Sequence, residues 1–335
     1  MTAPIRLSEE AAGTLASAAA SAPSMHNAQP WRFRYVRGES AFEVHADPER
    51  GLPHADPDGR ALHLGCGAAL LNLRAASAAA GLRVIVRILP EPDDAGLLAV
   101  VWFDEDGHIE ADLARLAPAV DQRRTSREPF AERRLPQTVR DSLIDAAARE
   151  GVLLTFPAAW HLQWVLELAH EASAENRTDV LGREELAHWT RVGGSSGATA
   201  TATMTDGIPD YAFGPRKRGG RAPVRDFGGG LPAAGQGVGH YEEHPQLALL
   251  STHGDRISDW VRAGQAMERV LLTATQQGVA TAFATEALER EETRWPLRDP
   301  LAAAGAVQMI LRLGYGPAGP ATPRRPVADV LDIAA

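Results

Sequence analysis

Alternating apolar and polar residues near the start of the chain predict a pair of strands. Residues 31–36 and 42–46 carry this pattern, and the polar residues 37–40 form the turn between them. Two later runs, 83–89 and 97–103, are rich in β-branched and aliphatic residues, which favours two further strands of the same sheet. The first third of the chain is therefore expected to build one sheet.

Longer stretches have the spacing of helices. They are residues 7–20, which Ser8 caps, and residues 59–81, 136–150, 160–176 and 257–278. Further strands are expected at 246–252 and 306–313. The helices 59–81 and 257–278 both end in glycine followed by an aliphatic residue, and the two parts of the chain share a coarse order of elements. The pattern predicts an α+β fold with an internal duplication, divided into residues 1–120 and 121–335.

Residues 193–244 show no clear period and are rich in Gly, Pro, Ser and Thr. An irregular stretch of this length is typical of a lid, a binding loop or a disordered segment, and we expect a lid. Within it, the basic run 214–225 could contact a phosphate, although a mobile or lid-forming loop is the more common use of such a run.

Composition narrows the class of protein. The 335 residues carry a formal net charge of −9, which argues against a nucleic-acid-binding protein. The single cysteine excludes an intramolecular disulfide, and no apolar run is long enough to cross a bilayer. We therefore expect a cytoplasmic protein with neither a membrane nor a nucleic-acid partner.

Two groups of arginines stand out against this acidic background. The first group lies in the motif Arg123, Arg124, Thr125, Ser126 and Arg127. Guanidinium and hydroxyl donors together suit the oxygens of a phosphate. The second group is the pair Arg324 and Arg325 near the C-terminus. A shared phosphate would explain both groups, whereas the alternative for the first is a solvated basic loop.

A short polar turn precedes the first strand. Pro23 and Pro30 restrict its backbone, and four of its side chains offer donors and acceptors at close spacing: Ser24, His26, Asn27 and Gln29. Such a set suits the polar edge of a heterocycle. The alternative is a capped loop in which the side chains bond local backbone groups.

Small residues at 280–285 follow the long helix 257–278. They would let backbone N–H groups approach a flat ligand, and a plain helix–loop–helix joint is the alternative. His240 and His244 are four residues apart, but two ligands are too few for zinc, so we expect no metal site.

Six segments, taken together, resemble one family. They are APSMHNAQPWRF (22–33), GRALHLGCGAALLNLRAASAAAGL (59–82), RRTSREPF (123–130), TDGIP (205–209), DWVRAGQAMERVLLTATQQGVAT (259–281) and LRLGYGPAGPATPRRPVADVL (311–331). Their order and content resemble the FMN-dependent nitroreductase superfamily, and most closely its single-chain, double-length Acg-like branch. The resemblance implies a nitroreductase-like α+β fold. Two tandem halves would form an internal pseudo-dimer, each a mainly antiparallel sheet packed with helices.

In this family FMN binds between two subunits, so the resemblance implies a site between the two halves. The first half would supply Pro23, Ser24, Met25, His26, Asn27 and Gln29. The second half would supply Arg123 or Arg124, Thr125, Arg127, the backbone near Ala284, Thr285 and Glu286, and Arg324 and Arg325. Negative charge near flavin N1 and O2 would be stabilised by His26, Arg32 or Arg74.

The mirror-related site lacks such residues. Residues 156–165, where the polar turn would recur, carry Trp160 and Trp164 and no Ser or Asn, so we expect one FMN per chain. The resemblance implies hydride or electron transfer between FMN and a small organic substrate, with NAD(P)H as a candidate reductant. The alternatives are a flavin-sequestering or storage protein closed by the lid 193–244, and a scaffold without cofactor. The chain could act as a monomer or form a further homodimer.

Overall fold

The computed structural model describes residues 5–91, 94–191, 205–233, 235–301 and 305–335. Its helices are α1 (Glu9–Ala20), α2 (Arg60–Ala79), α3 (Ala111–Ala114), α4 (Ala117–Val120), α5 (Gln137–Ala148), α6 (Ala159–Thr178), α7 (Val180–Trp189), α8 (Ile257–Gln276), α9 (Glu291–Arg294) and α10 (Val327–Val330). Its strands are β1 (Trp31–Val36), β2 (Ala41–Ala46), β3 (Val84–Ile88), β4 (Leu97–Phe103), β5 (Leu153–Thr155), β6 (Thr190–Arg191), β7 (Ile208–Pro209), β8 (Arg216–Lys217), β9 (Val238–Gly239), β10 (Gln246–Thr252), β11 (Ala280–Phe283), β12 (Ala306–Gly314) and β13 (Leu331–Ala334).

The first sheet has the strand order β13–β1–β2–β4–β3. Every pair in it is antiparallel except β1 with β13, which is parallel. Along β1, Trp31, Phe33 and Tyr35 are buried while Arg32 and Arg34 are exposed, as the alternating pattern predicts. The four strands expected in the first third of the chain are confirmed within one or two residues.

The second sheet has the strand order β11–β12–β10–β5, and all its pairs are antiparallel. The strands β5, β10, β11 and β12 repeat the arrangement of β1, β2, β3 and β4. In each set of four, a long helix connects the second strand to the third along the chain, and the fourth strand pairs with the second. The α+β class with mainly antiparallel sheets is therefore confirmed.

The long helices α2 and α8 pack against each other between the sheets, and each has 20 residues. Two glycines bring the backbones of these helices close together. A Cβ on Gly67 would lie 2.2 Å from the carbonyl oxygen of Val261, and one on Gly264 would lie 2.1 Å from that of Leu64. Each glycine thus meets the carbonyl three positions before the other glycine, a reciprocal contact of the kind found at a two-fold axis.

The C-terminal segment differs from expectation. The sequence reads as a polar, proline-rich tail, but its last residues form α10 and then β13, which pairs with β1 in register from Phe33 opposite Leu331. The chain therefore returns to the sheet in which it began. A four-residue strand has too short a pattern to be recognised, and its pairing partner lies at the other end of the sequence.

Part of the predicted lid has regular structure. In the described residues 205–233 and 235–244, β7 pairs with β6 and β8 pairs with β9. Residues 193–204 and 234 of that prediction lie outside the described residues. The helix α6 bears Trp160 and Trp164, which are each more than two-fifths exposed.

Candidate cofactor site

The polar turn before β1 has an unusual backbone. His26, Asn27 and Gln29 all have positive φ angles, of 49°, 55° and 54°. Side chains with a Cβ rarely adopt this region, and such strain persists only where surrounding contacts hold it. The Ser24 hydroxyl accepts a hydrogen bond from the Gln29 amide at 2.9 Å, which closes the turn. The turn therefore holds its side chains in fixed positions at one end of α2.

The amides of Asn27 and Gln29 bind other parts of the chain. Asn27 donates to the carbonyls of Gly207 and Pro323, each at 3.0 Å. Gln29 is fully buried, donates to the Thr205 carbonyl at 2.7 Å and accepts from the Arg325 amide at 2.8 Å. The turn is thus a point of attachment for two other parts of the chain. One is the segment 193–244 that was predicted to be a lid, hereafter the lid segment, and the other is the C-terminal tail.

The tail brings Arg324 to the same place. Its guanidinium donates to the Asn27 side chain at 3.0 Å and to the carbonyls of Ser21 and Ala22 at 3.1 Å. Its Nε is buried without a partner. The tail also crosses the motif 123–127 closely, because a Cβ on Gly319 would lie 2.0 Å from the Thr125 carbonyl oxygen. The turn, the motif and the tail therefore meet.

A cavity of about 290 Å³ lies at this junction, at the lower end of the range of about 300–1,000 Å³ for ligand pockets. Most of the predicted residues line it: Pro23, Ser24, Met25, His26, Asn27, Arg123, Arg124, Thr125, Arg127, Thr285 and Arg324. Its apolar wall includes Leu64, Met267 and Met309. The structure thus brings eleven of the fifteen predicted positions together on one surface.

Charge in this cavity is opposite to that of the chain. Among the described residues, seven arginines and two carboxylates line it, although the chain has a net charge of −9. Burial, with Arg123 as a second cause, lowers the pKa of Arg324 to about 9. Burial also lowers the pKa of Arg123. Buried cations are costly unless they are paired, so the cavity favours an anionic ligand.

The arginines form two separate groups. Arg123, Arg124 and Arg324 lie at one end of the cavity, where burial and then the charges of Arg123 and Arg124 lower the pKa of Arg324. Arg127 lies at the other end, where its guanidinium is 4.7 Å from the ring centroid of Phe227. It donates to the Ala212 carbonyl at 2.8 Å and has no carboxylate partner among the described residues. The predicted phosphate motif is therefore divided between the two ends.

His26 also lies at the Phe227 end. Burial, and then the charges of Arg225 and Arg127, hold the pKa of His26 well below its usual value of 6.5. The imidazole is therefore neutral at pH 7. Burial, and then Arg225, also lower the pKa of Arg127, to about 10. Since no carboxylate of the described residues pairs with it, Arg127 is an uncompensated cation at this end.

Four predicted residues do not line the cavity: Gln29, Ala284, Glu286 and Arg325. The Gln29 side chain instead accepts a hydrogen bond from the backbone amide of Arg325, which joins the turn to the tail. The Ala284 amide donates to the Ile310 carbonyl at 3.0 Å within the second sheet. Glu286 lines an adjacent cavity of about 250 Å³ that shares His26, Arg225 and Glu289 with the first.

Arg32 and Arg74 lie elsewhere. Arg32 is on the exposed side of β1 and forms an ion pair with Asp47 at 2.9 Å. Arg74 binds Glu110, Glu150 at 2.7 Å and Gln265 at 2.6 Å between the long helices. Both side chains are occupied by structural ion pairs away from the cavity, so neither is available to stabilise charge on a ligand there.

Three arginines in the cavity were not predicted: Arg60, Arg225 and Arg312. Arg225 belongs to the basic run 214–225, for which the sequence suggested a phosphate contact. Its guanidinium forms an ion pair with Glu289. Arg60 and Arg312 stand singly in a helix and a strand. No local pattern in the sequence distinguishes them from surface arginines.

Within the described ranges, no group of three or more potential metal-ligating side chains is found. Of the helices in those ranges, none is long and apolar enough to cross a membrane.

Comparison with known proteins places the chain in a family, although no family model matches it. In Mycobacterium tuberculosis H37Rv, "Putative NAD(P)H nitroreductase Rv3131" is 34% identical over 329 residues, which cover 96% of this chain and 91% of that protein. "Putative NAD(P)H nitroreductase acg" is 30% identical over 324 residues, covering 94% and 93%. "Uncharacterized protein Rv3127" is 30% identical over 319 residues, covering 93% and 90%.

Solved structures also match parts of the chain. A nitroreductase with bound FMN from Bacteroides fragilis NCTC 9343 covers 63% of this chain and 92% of its own, with 14% identity and a TM-score of 0.32. One from Desulfitobacterium hafniense DCB-2, also with bound FMN, covers 63% and 92%, with 16% identity and a TM-score of 0.30. The family assignment rests on the sequence relatives.

Two of these relatives are described as putative NAD(P)H nitroreductases, and nitroreductases are a class of oxidoreductase. Because the identity extends over nearly the whole of each protein, the chain belongs to the nitroreductase family, in the branch that includes Acg. The resemblance read from the six segments is confirmed.

Proposed function

We propose that this protein is an FMN-binding oxidoreductase of the nitroreductase type, with one FMN per chain, that uses NAD(P)H and a small organic substrate. The observation that carries the proposal is the convergence of the polar turn, the motif 123–127 and Arg324 on one basic cavity. Membership of the nitroreductase family supports the same ligand.

The residues at the Arg324 end fit a phosphate group. Three buried guanidinium nitrogens have no hydrogen-bond partner among the described residues: Nε and Nη1 of Arg123, and Nε of Arg324. Arg124 and Thr125 line the same cavity and add further donors. Charge-assisted hydrogen bonds from such groups are the strong ones for phosphate oxygens. We assign this end, hereafter the phosphate end, to the phosphate of FMN.

The residues at the Phe227 end fit a flat ring. The cavity there combines apolar side chains with the neutral His26 and the cation of Arg127. Bound FMN supplies hydride or electron transfer. Arg127 favours a ligand that carries or gains negative charge at this end, and it takes the role that the sequence left among His26, Arg32 and Arg74.

Access to the ring end depends on the lid segment. Ile208, Pro223, Val224, Arg225 and Phe227 belong to that segment, and all five line the cavity. The adjacent cavity, which shares His26 with the first, offers a route for a second ligand. The alternative function is sequestration of the flavin. If the lid segment sealed the flavin ring, NAD(P)H could not reach it.

The test is anaerobic mixing of FMN-loaded protein with NADH and, separately, NADPH. We expect at least one of them to remove the visible absorbance of the flavin, and a nitroaromatic acceptor to restore it. Dithionite is the control that shows the bound flavin to be reducible. Reduction by dithionite but by neither nucleotide would overturn the NAD(P)H assignment and favour sequestration.

A further inference from the structure

A buried polar cluster lies behind the phosphate end. In the described part of the chain, twelve buried side-chain nitrogen and oxygen atoms lack a hydrogen-bond partner, and seven of them belong to Asn72, Arg123, Glu268 and Arg324. Native proteins leave few such atoms unpaired, and each calls for an explanation. Their concentration at one place indicates a site that is completed by a ligand, a proton or both.

Glu268 is at the centre of this cluster. It lies on α8, is fully buried, and its Oε1 is 3.6 Å from Nε of Arg123. Asn72 of α2 lies beside it without forming a hydrogen bond of normal geometry, and the charge of Arg324 acts on it from the tail. It does not line the cavity itself, so it would not touch a ligand bound there.

The charges of this cluster conflict when an anion is present. Glu268 and a bound phosphate would both be attracted to the Arg123 guanidinium, and would repel each other in surroundings from which water is excluded. A carboxylate next to a second anion is relieved by taking up a proton from solvent, which removes the repulsion and leaves the guanidinium to the phosphate.

We propose that Glu268 is a proton-accepting counter-ion of Arg123, and that binding of a phosphate-bearing ligand is coupled to the uptake of one proton by Glu268. The coupling rests on the proposed assignment of this end of the cavity to the phosphate of FMN. Glu268 is a positioning residue, since it pairs with Arg123 and does not line the cavity.

The position of the titration suits this role. Burial raises the pKa of Glu268 to about 7, against the opposing charges of Arg123 and then Arg324. A nearby phosphate raises it further. Below pH 7 the carboxyl is already protonated, and above pH 7 it must gain a proton when the ligand binds. Affinity is therefore expected to fall as pH rises through 7 and beyond.

The test is the affinity for FMN, measured by flavin fluorescence between pH 5.5 and 8.5, a range below the lowered pKa of Arg324. Affinity first rises as the ligand's own phosphate ionises near pH ~6. We then expect it to fall by about fourfold or more between pH 7 and 8.5, because a neighbouring charge shifts the pKa of a buried carboxyl by about one unit or more. Glu268→Gln should remove that fall and keep the rise, whereas exposed Glu39→Gln should match the wild type.

Two further measurements keep the outcomes distinct. Titration calorimetry of the wild type at pH 8, in buffers of different ionisation enthalpy, should show uptake of about one proton per FMN at most. Riboflavin, which lacks the phosphate, should bind without the fall above pH 7. An equal fall in Glu268→Gln and wild type, or no proton uptake at pH 8, overturns the coupling. Failure of the wild type to bind FMN at any pH would instead overturn the proposed function.

Discussion

Asn27 joins three segments through one amide. It donates to Gly207 in the lid segment and Pro323 in the tail, and accepts from Arg324. The sequence identified its turn as part of the site but assigned Asn27 and Gln29 to the edge of a ligand. Their partners could not be predicted, because those of Asn27 lie 180 and 296 residues away along the chain. In contrast, the arginine motif was recognised, because its density against an acidic background is a local signal.

Substitution at Asn27 tests the strain of the turn. Asn27→Ala loses the buried hydrogen bonds and places an alanine at a φ of 55°, whereas Asn27→Gly loses the same bonds without the backbone cost. We expect both variants to lower the free energy of unfolding, and alanine to lower it further by about 1 kcal/mol. Urea denaturation measures the difference. Equal stabilities would show that the turn is not strained at this residue.

The long helices and the strands around them have the same arrangement in both parts of the chain. The four strands of the second sheet follow the same sequence and sheet order as β1 to β4, and α2 and α8 have equal lengths and a reciprocal glycine contact. We propose on this basis that the chain is an internal duplication of residues 1–120 and 121–335. Sequence periodicity predicted both helices within two or three residues. It missed β13, whose pairing depends on the whole fold.

The glycine contact gives a symmetric prediction. Gly67→Ala and Gly264→Ala each place a methyl group against a backbone carbonyl of the opposite helix, which cannot rotate away. We expect each to lower the free energy of unfolding by about 1–3 kcal/mol, the usual range for overpacking, and by similar amounts.

The control is Gly13→Ala in α1. A Cβ at Gly13 has no atom within 4 Å, so this change should be neutral or stabilise the helix by up to about 1 kcal/mol. Thermal or urea unfolding of the three variants provides the comparison. A large loss from only one of Gly67 and Gly264 would argue against an isologous contact.

At the scale of the whole molecule, an acidic chain brings seven of its arginines to the lining of one cavity. Residues from the first third of the chain, the motif 123–127, the lid segment and the tail reach it together. The family resemblance predicted which segments would meet. It did not predict the division of the motif between two ends of the cavity, or the entry of Arg225, since both depend on how the lid segment packs.

The central claim is that the phosphate end holds FMN, and the direct measurement is flavin content. After loading with FMN and desalting, the wild type should retain about one FMN per chain. Its affinity for FMN should be at least about 100-fold higher than that of the double variant Arg123→Ala/Arg324→Ala, because each charge-assisted hydrogen bond contributes about 1.5–3 kcal/mol. The exposed control Arg262→Ala should match the wild type. Stoichiometric, tightly bound FMN in the double variant would contradict the account.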